Sequence, residues 1–207
     1  MLSIEQLDRR DASGVAQWDA FVQACPQATF FHRAGWQNIL HDVFRHHTFF
    51  LLARTERGIE GVLPLAQVKS FMFGHSLVSL PFAVYGGVAA SNPEAALALE
   101  SHAQELARGL GVQHLELRNV QARHPDWPAQ DLYVTFRKPL LDTEEANMLA
   151  IPRKQRAMVR KGQKNGLASL IDAGVDRFFP LYADNVHRHG TPALPRRYFE
   201  RDRKSVV

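Results

Sequence analysis

The chain has 207 residues, 45% of them hydrophobic, 22% charged and 10% aromatic, the make-up of a globular chain with apolar content for a full core and for one or two domains. A single cysteine, Cys25, excludes an internal disulfide and a cysteine zinc site. The net charge is +4, yet residues 151–167 alone carry +6, so the remainder sums to −2 and the basic character is local.

The first ten residues, MLSIEQLDRR, are polar and do not form a signal peptide. The longest run without Asp, Glu, Lys or Arg covers residues 70–93; it holds His75, Pro81 and three glycines and reads as buried strands and turns, not a membrane span. A reducing, cytoplasmic location is expected.

Ser13 is placed to cap a first helix with Val15, Trp18, Phe21 and Val22 on one face, and Pro26 stops it. Residues 33–43 form a second, with Trp36, Ile39, Leu40 and Val43 at helical spacing. Residues 48–55 and 59–68 read as paired strands around a turn at Glu56, Arg57 and Gly58, and Pro64 predicts an edge strand or a bulge. A third strand is expected over 76–80, then an irregular segment over 81–87. Pro93 opens a long helix with a stripe of Ala96, Leu99, Ala103, Leu106, Ala107 and Leu110, ended by Gly111. Strands over 113–118 and 132–140 follow, separated by a loop. The fold class is α/β, a mixed sheet flanked by helices.

After Asp142 the pattern restarts with a basic helix between Pro152 and Gly166, a short strand over 168–172, a helix over 175–189 and the opening of another from Pro195. One strand and three helices cannot bury their apolar faces alone. The expected division is therefore a first domain over 1–142 and the start of an incomplete second domain over 143–201. Residues 202–207 are what GAT CGG AAG AGC GTC GTG encodes ahead of the stop TAG, which resembles a sequencing-library adapter, so this tail is expected to be non-native.

The basic helix carries Arg153, Lys154, Arg156, Arg160, Lys161 and Lys164, with no Asp or Glu from residue 146 to residue 171. Arg153, Arg156, Arg160 and Lys164 fall on one face. Such a row suits phosphates, whether of a nucleotide sugar, a lipid-linked glycan or a tRNA backbone, unless it is merely a solvated face. Nothing suggests base reading, so DNA is not an expected partner; no aromatics interleave the cations for single-strand stacking.

Phosphate-loop, nucleophile-elbow and zinc-protease motifs are absent. The nearest look-alike of an acetyl-coenzyme A loop, Arg108 to Gln113, lies at a helix end and cannot present amides to a pyrophosphate. Neither His46-His47 nor His187-x-His189 has a carboxylate nearby in sequence, and no metal or cofactor is expected. Cys25 reads as a small buried hydrophobe, and Trp36 by its spacing as core.

Several segments together resemble the FemAB-like branch of the GNAT N-acyltransferase superfamily, in particular the FemAB-related proteins of exosortase (PEP-CTERM) and exopolysaccharide systems. They are FHRAGW at 31–36, GVLPLAQVK at 61–69, SLPFAVYGGV at 79–88, LELR at 115–118, the basic stretch IPRKQRAMVRKGQKNGL, and His189-Gly190 leading to Tyr198-Phe199. The resemblance implies two GNAT-like domains in tandem and transfer of an acyl or aminoacyl group to an amine, with aminoacyl-tRNA as the donor of characterised relatives. It implies that Trp36 lies beside the acceptor groove and the basic stretch near the donor or a phosphate. Relatives that bind a nucleotide-linked cell-wall precursor carry a basic residue shortly after that Trp and, in some, an Arg before the late Pro. Gln37, Asn38 and Leu194 stand there, which fits another acceptor, such as an amino sugar of an exopolysaccharide.

Attack of an amine on an activated acyl carbon needs positioning and oxyanion stabilisation more than a protein nucleophile, in keeping with the missing motifs. The sequence names no catalytic base, and the chain as it stands is expected to be inactive alone. The competing expectations are a non-catalytic module whose basic helix docks on RNA or an anionic surface, and a structural partner in polysaccharide export.

Overall fold

The computed structural model describes residues 1–71, 74–130 and 133–205, the last four of these as backbone only. Contacts along the chain gather into two units, Met1–Arg123 with Val175–Val207, and His124–Gly174.

The first unit is built on a six-stranded mixed sheet. Strands β1 (Ser3–Gln6), β2 (His47–Thr55), β3 (Gly58–Ser70) and β4 (Gly74–Val78) pair antiparallel in that order, and β6 (His114–Glu116) adds parallel to β4. The two-residue strand β5 (Ala89–Ala90) pairs with β3. Alternate residues of β2 and β3 enter opposite cores. Phe50, Leu52, Val62 and Ala66 face helices α1 (Ala12–Ala24) and α2 (Gly35–Asp42), where Trp18, Trp36, Ile39 and Leu40 are buried. Leu51, Ala53, Leu63 and Leu65 face α3 (Pro93–Leu110), through Ala95, Ala96, Leu99, Ala103 and Ala107. Burial on both faces explains why these strands read as unbroken apolar runs. The expected mixed sheet between helices is therefore present.

Helix α3 starts where its sequence says it should. Asn92 accepts from the Ala95 N–H at 2.8 Å, Pro93 takes the first turn and Gly111 closes the helix in the left-handed conformation. Helix α1 is capped earlier than expected: Asp11 is the cap and accepts from the Ser13 N–H at 3.0 Å, so Ser13 is the donor and not the cap.

Pro64 is not on an edge strand. It lies mid-way along β3, paired with Phe50 of β2. The ring is tolerated because the other side of β3 is open there. Val62 pairs with Ala89 of β5 and Ala66 with Val78 of β4, and no described strand residue pairs with Leu63, Pro64 or Leu65 on that side. Strands β4 and β5 are thus one partner of β3 interrupted by residues 79–88, ten residues opposite three, a very wide bulge.

Helix α6 (Phe178–Arg188) tolerates Pro180 because it falls in the first turn, where no intrahelical N–H is needed. Helix α7 (Arg196–Ser205) packs on α2: the Tyr198 ring lies 6.3 Å from Trp36 and 5.9 Å from Phe44, and Arg201 pairs with Asp42 at 3.4 Å.

The second unit holds α4 (Glu144–Leu149), capped by Thr143, and α5 (Arg153–Lys164). The first of these was not anticipated. The strand expected over 132–140 is absent across its described residues (Leu132 lies outside them), and so is the one over 168–172. Alternation makes a strand only where an edge offers hydrogen bonds; here Tyr133, Phe136, Leu170 and Ile171 stay exposed, and Pro139 lacks a donor.

Candidate functional site

The bulge over residues 79–88 is an irregular segment held from several sides. Two of its residues, Leu80 and Phe82, have positive φ of 56° and 67°. Neither is a glycine, so each conformation costs roughly 1–3 kcal/mol and must be held by its surroundings.

The holding groups come from two places in the chain. From the end of β6, Arg118 donates to the Ala83 carbonyl at 2.6 Å and to that of Leu80 at 3.4 Å, while its own carbonyl accepts from the N–H groups of Gly86 and Gly87. The next residue, Asn119, accepts from the Val88 N–H at 3.1 Å. It lies so close to Gly87 that a Cβ there would come within 2.8 Å of the Asn119 Cα. From the turn before α2, His32 donates through Nε2 to the Gly87 carbonyl at 2.8 Å. Its tautomer is fixed, because the Thr29 N–H donates to Nδ1 at 3.0 Å and so leaves the proton on Nε2. Burial lowers the pKa of this imidazole and keeps it neutral.

Around the bulge lies an aromatic cluster. Phe82 stacks on Phe44 with ring centroids 4.0 Å apart and planes 19° apart, and His46 lies 5.9 Å from Phe82. Phe44 leads through Tyr198 to Trp36, which is also flanked by Phe31 at 5.7 Å and Phe30 at 6.0 Å. Trp36 is buried and its indole N–H has no hydrogen-bond partner among the described residues. The other core indole is satisfied, since Trp18 donates to the His32 carbonyl at 2.7 Å. A buried donor left unpaired costs about 1–3 kcal/mol. Phe30 and Phe82 remain 46% and 43% exposed, so the cluster reaches the surface as apolar ring faces. Such an arrangement can hold a ligand with an apolar or sugar face against the exposed rings of Phe30 and Phe82.

The sequence-predicted site residues divide between the units. Trp36 belongs to the aromatic cluster of the first, as core by spacing and adjacent to the bulge in space. The cations lie on α5 in the second. Arg153, Lys154, Arg160, Lys161 and Lys164 are exposed, and none has a hydrogen-bond or ion-pair partner among the described residues. Arg156 differs: half-buried, it donates to the carbonyls of Ile151 and Leu149, which the end of α4 leaves open. It stitches the α4–α5 corner, whatever else it does. Arg108 to Gln113 lies at the C-terminal end of α3, as its glycine implies.

Sequence reasoning missed the bulge clamps His32, Arg118 and Asn119 and the ring partners Phe44, Phe82 and Tyr198. One signal was available. A proline inside a long, otherwise central apolar strand marks a place where a neighbouring strand must be missing, and the irregular segment over 81–87 was there to fill it.

No family model matches the sequence, and no curated protein matches it. Among solved structures, the fold is similar to a GNAT family acetyltransferase from Staphylococcus aureus, at 13% identity and a TM-score of 0.44, over 67% of this chain and 98% of that one. It is similar to an aminoglycoside antibiotic 6'-N-acetyltransferase from Acinetobacter haemolyticus, at 12% identity and 0.42, over 67% and 99%. It is also similar to a transcriptional regulator from Bacillus halodurans, at 9% identity and 0.40, over 84% and 97%.

Proposed function

We propose that the chain belongs to an N-acyltransferase of the FemAB type, with two GNAT-like domains in tandem, that transfers an acyl or aminoacyl group to an amine on a cell-envelope glycan or its precursor. The observation that carries this reading is convergence. Four of the segments on which the resemblance rests meet at one place: FHRAGW supplies His32 and Trp36, GVLPLAQVK supplies the open side of β3 around Pro64, SLPFAVYGGV is the bulge itself, and LELR supplies Arg118. A fifth adds Tyr198 against Trp36. Segments far apart in sequence that share one strained site are more than a string of weak matches.

In this reading the acceptor sugar lies against the rings of Trp36, Phe82 and Tyr198. The exposed cations of α5 take phosphate oxygens of the donor, aminoacyl-tRNA being the donor class with the most phosphates to offer. Catalysis is by positioning: the amine is held against the acyl carbon, and no protein nucleophile is needed.

The test is binding of aminoacyl-tRNA and of an amino sugar to the same protein. RNA affinity should fall with salt, and Arg153→Glu, Arg160→Glu and Lys164→Glu together should make log affinity depend less steeply on log salt. The slope should shrink by about 0.7–0.9 for each phosphate that the helix no longer neutralises. An amino sugar should bind alongside the RNA and be unaffected by those changes. RNA binding with no amino-sugar binding favours the second reading, a non-catalytic basic module. The observation behind that reading is that five of the six cations of α5 are exposed and unpartnered among the described residues.

A further inference from the structure

A second surface of the first unit, separate from the bulge clamps, has the features of an anion site. A cleft of about 430 Å³ opens between the end of β1, the C-terminal half of α2 and the start of β2. Its lining includes Arg9, His41, Arg45, His46 and His47, against a single carboxylate, Asp8, which already accepts from the Arg10 N–H at 2.9 Å. Arg9 is partly engaged, with Asn38 at 3.4 Å and Asp42 at 3.8 Å. Arg45 is exposed and has no hydrogen-bond or ion-pair partner among the described residues.

Two observations set this cleft apart from an ordinary basic groove. The first is the backbone of Arg45, at φ 60°, a left-handed conformation in which a long side chain is strained and a glycine would not be. The residue at that corner pays in stability for carrying a guanidinium. The second is Gln37, which lines the cleft and is only 3% exposed. Its Nε2 donates to the Leu7 carbonyl and to the Thr48 hydroxyl oxygen, both at 3.3 Å. The Leu7 carbonyl can only accept, so the amide cannot be turned over, and Oε1 is left buried without a donor among the described residues.

We propose that this cleft binds a phosphorylated monosaccharide, with the phosphate on Arg45 and Arg9 and a sugar hydroxyl donating to Gln37 Oε1. Guanidinium forks and imidazole N–H groups match phosphate oxygens. The volume lies in the range of small-ligand sites and suits a sugar phosphate. No Trp, Tyr or Phe lines the cleft, so a nucleobase has nothing to stack on, which disfavours a nucleotide. The proposal does not depend on the acyl-transfer reading, since neither Trp36 nor the bulge contributes to the cleft.

The test is calorimetric titration of the full chain with glucose 6-phosphate, inorganic phosphate and glucose. It is made in the Arg153→Glu, Arg160→Glu, Lys164→Glu background, so that the basic helix does not contribute. Glucose 6-phosphate should bind most tightly, inorganic phosphate more weakly and glucose not measurably. Arg45→Gly is the decisive variant, because it removes the guanidinium and relieves the backbone at once. Its thermal midpoint should equal or exceed that of the parent while affinity for glucose 6-phosphate drops by about tenfold or more. Gln37→Leu should narrow the preference for glucose 6-phosphate over inorganic phosphate. Absence of glucose 6-phosphate binding, or full binding by a stable Arg45→Gly protein, overturns the proposal.

Discussion

The His32 imidazole and the Gly87 carbonyl meet at 2.8 Å across fifty-five residues of chain, and this buried bond ties the turn ahead of α2 to the far end of the bulge. Burial holds His32 below the ordinary imidazole value of 6.5, so the native state refuses a proton that the unfolded chain accepts. Below that pH the unfolded state binds more protons, and stability rises with pH there. The contribution is therefore complete above about pH 6.5 and is lost as pH falls from there toward the folded value. His46, also lowered by burial, acts in the same direction. The thermal midpoint should fall between about pH 7.5 and about pH 5.5, and less steeply in His32→Gln, which keeps a donor for Gly87 but cannot titrate.

Arg118 is the second clamp. Replacing it by Met keeps much of the stem and removes the donor to the Ala83 carbonyl. The expected loss is about 2 kcal/mol in urea denaturation. Lysine should restore little, because one ammonium cannot reproduce a fork that reaches the carbonyls of Leu80 and Ala83 and the Glu116 carboxylate together.

Gly87 and Gly109 make a matched pair. A Cβ on Gly87 would run into Asn119, which itself holds the Val88 amide, so Gly87→Ala should cost about 1–3 kcal/mol. Gly109 sits in α3, where a Cβ would meet nothing within 4 Å, and Gly109→Ala should stabilise by about 0.5–1 kcal/mol. Denaturation midpoints of the two variants should move in opposite directions.

Glu100 is 1% exposed on α3 and pairs with Arg123 at 2.6 Å. Arg123→Ala takes away a charged partner from a buried carboxylate and should cost about 3 kcal/mol by the same measurement. The double variant Glu100→Gln, Arg123→Ala should recover part of that loss, because no buried charge remains.

The parts of the fold legible in the sequence are those whose residues answer to local or periodic rules. Asn92, Pro93 and Gly111 bracket α3 because caps are local chemistry, and β2 and β3 declare themselves because both faces are buried. The four-residue strand β1 escaped notice: with Glu5 and Gln6 exposed, it has little alternation to show. Residues 133–140 show the opposite failure, an alternating run with no edge to join. Trp36 and the α5 cations could be picked out as residues, but neither their surroundings nor the role of Arg156 at the α4–α5 corner is written in spacing. The clamps are long-range pairs, His32 with Gly87 and Arg118 with Ala83, and a histidine or arginine taken alone announces no partner.

The central claim is that an amine-bearing sugar sits against Trp36 and the bulge. The indole N–H resonances of the protein test it most directly. The Trp36 indole proton is buried and unpaired among the described residues, whereas that of Trp18 is bonded to the His32 carbonyl and serves as an internal control. Titration with glucosamine should shift the Trp36 resonance saturably and leave that of Trp18 in place. A Trp36 resonance that does not move at saturating glucosamine, in a protein whose α5 still binds RNA, would contradict the account and leave the basic module standing.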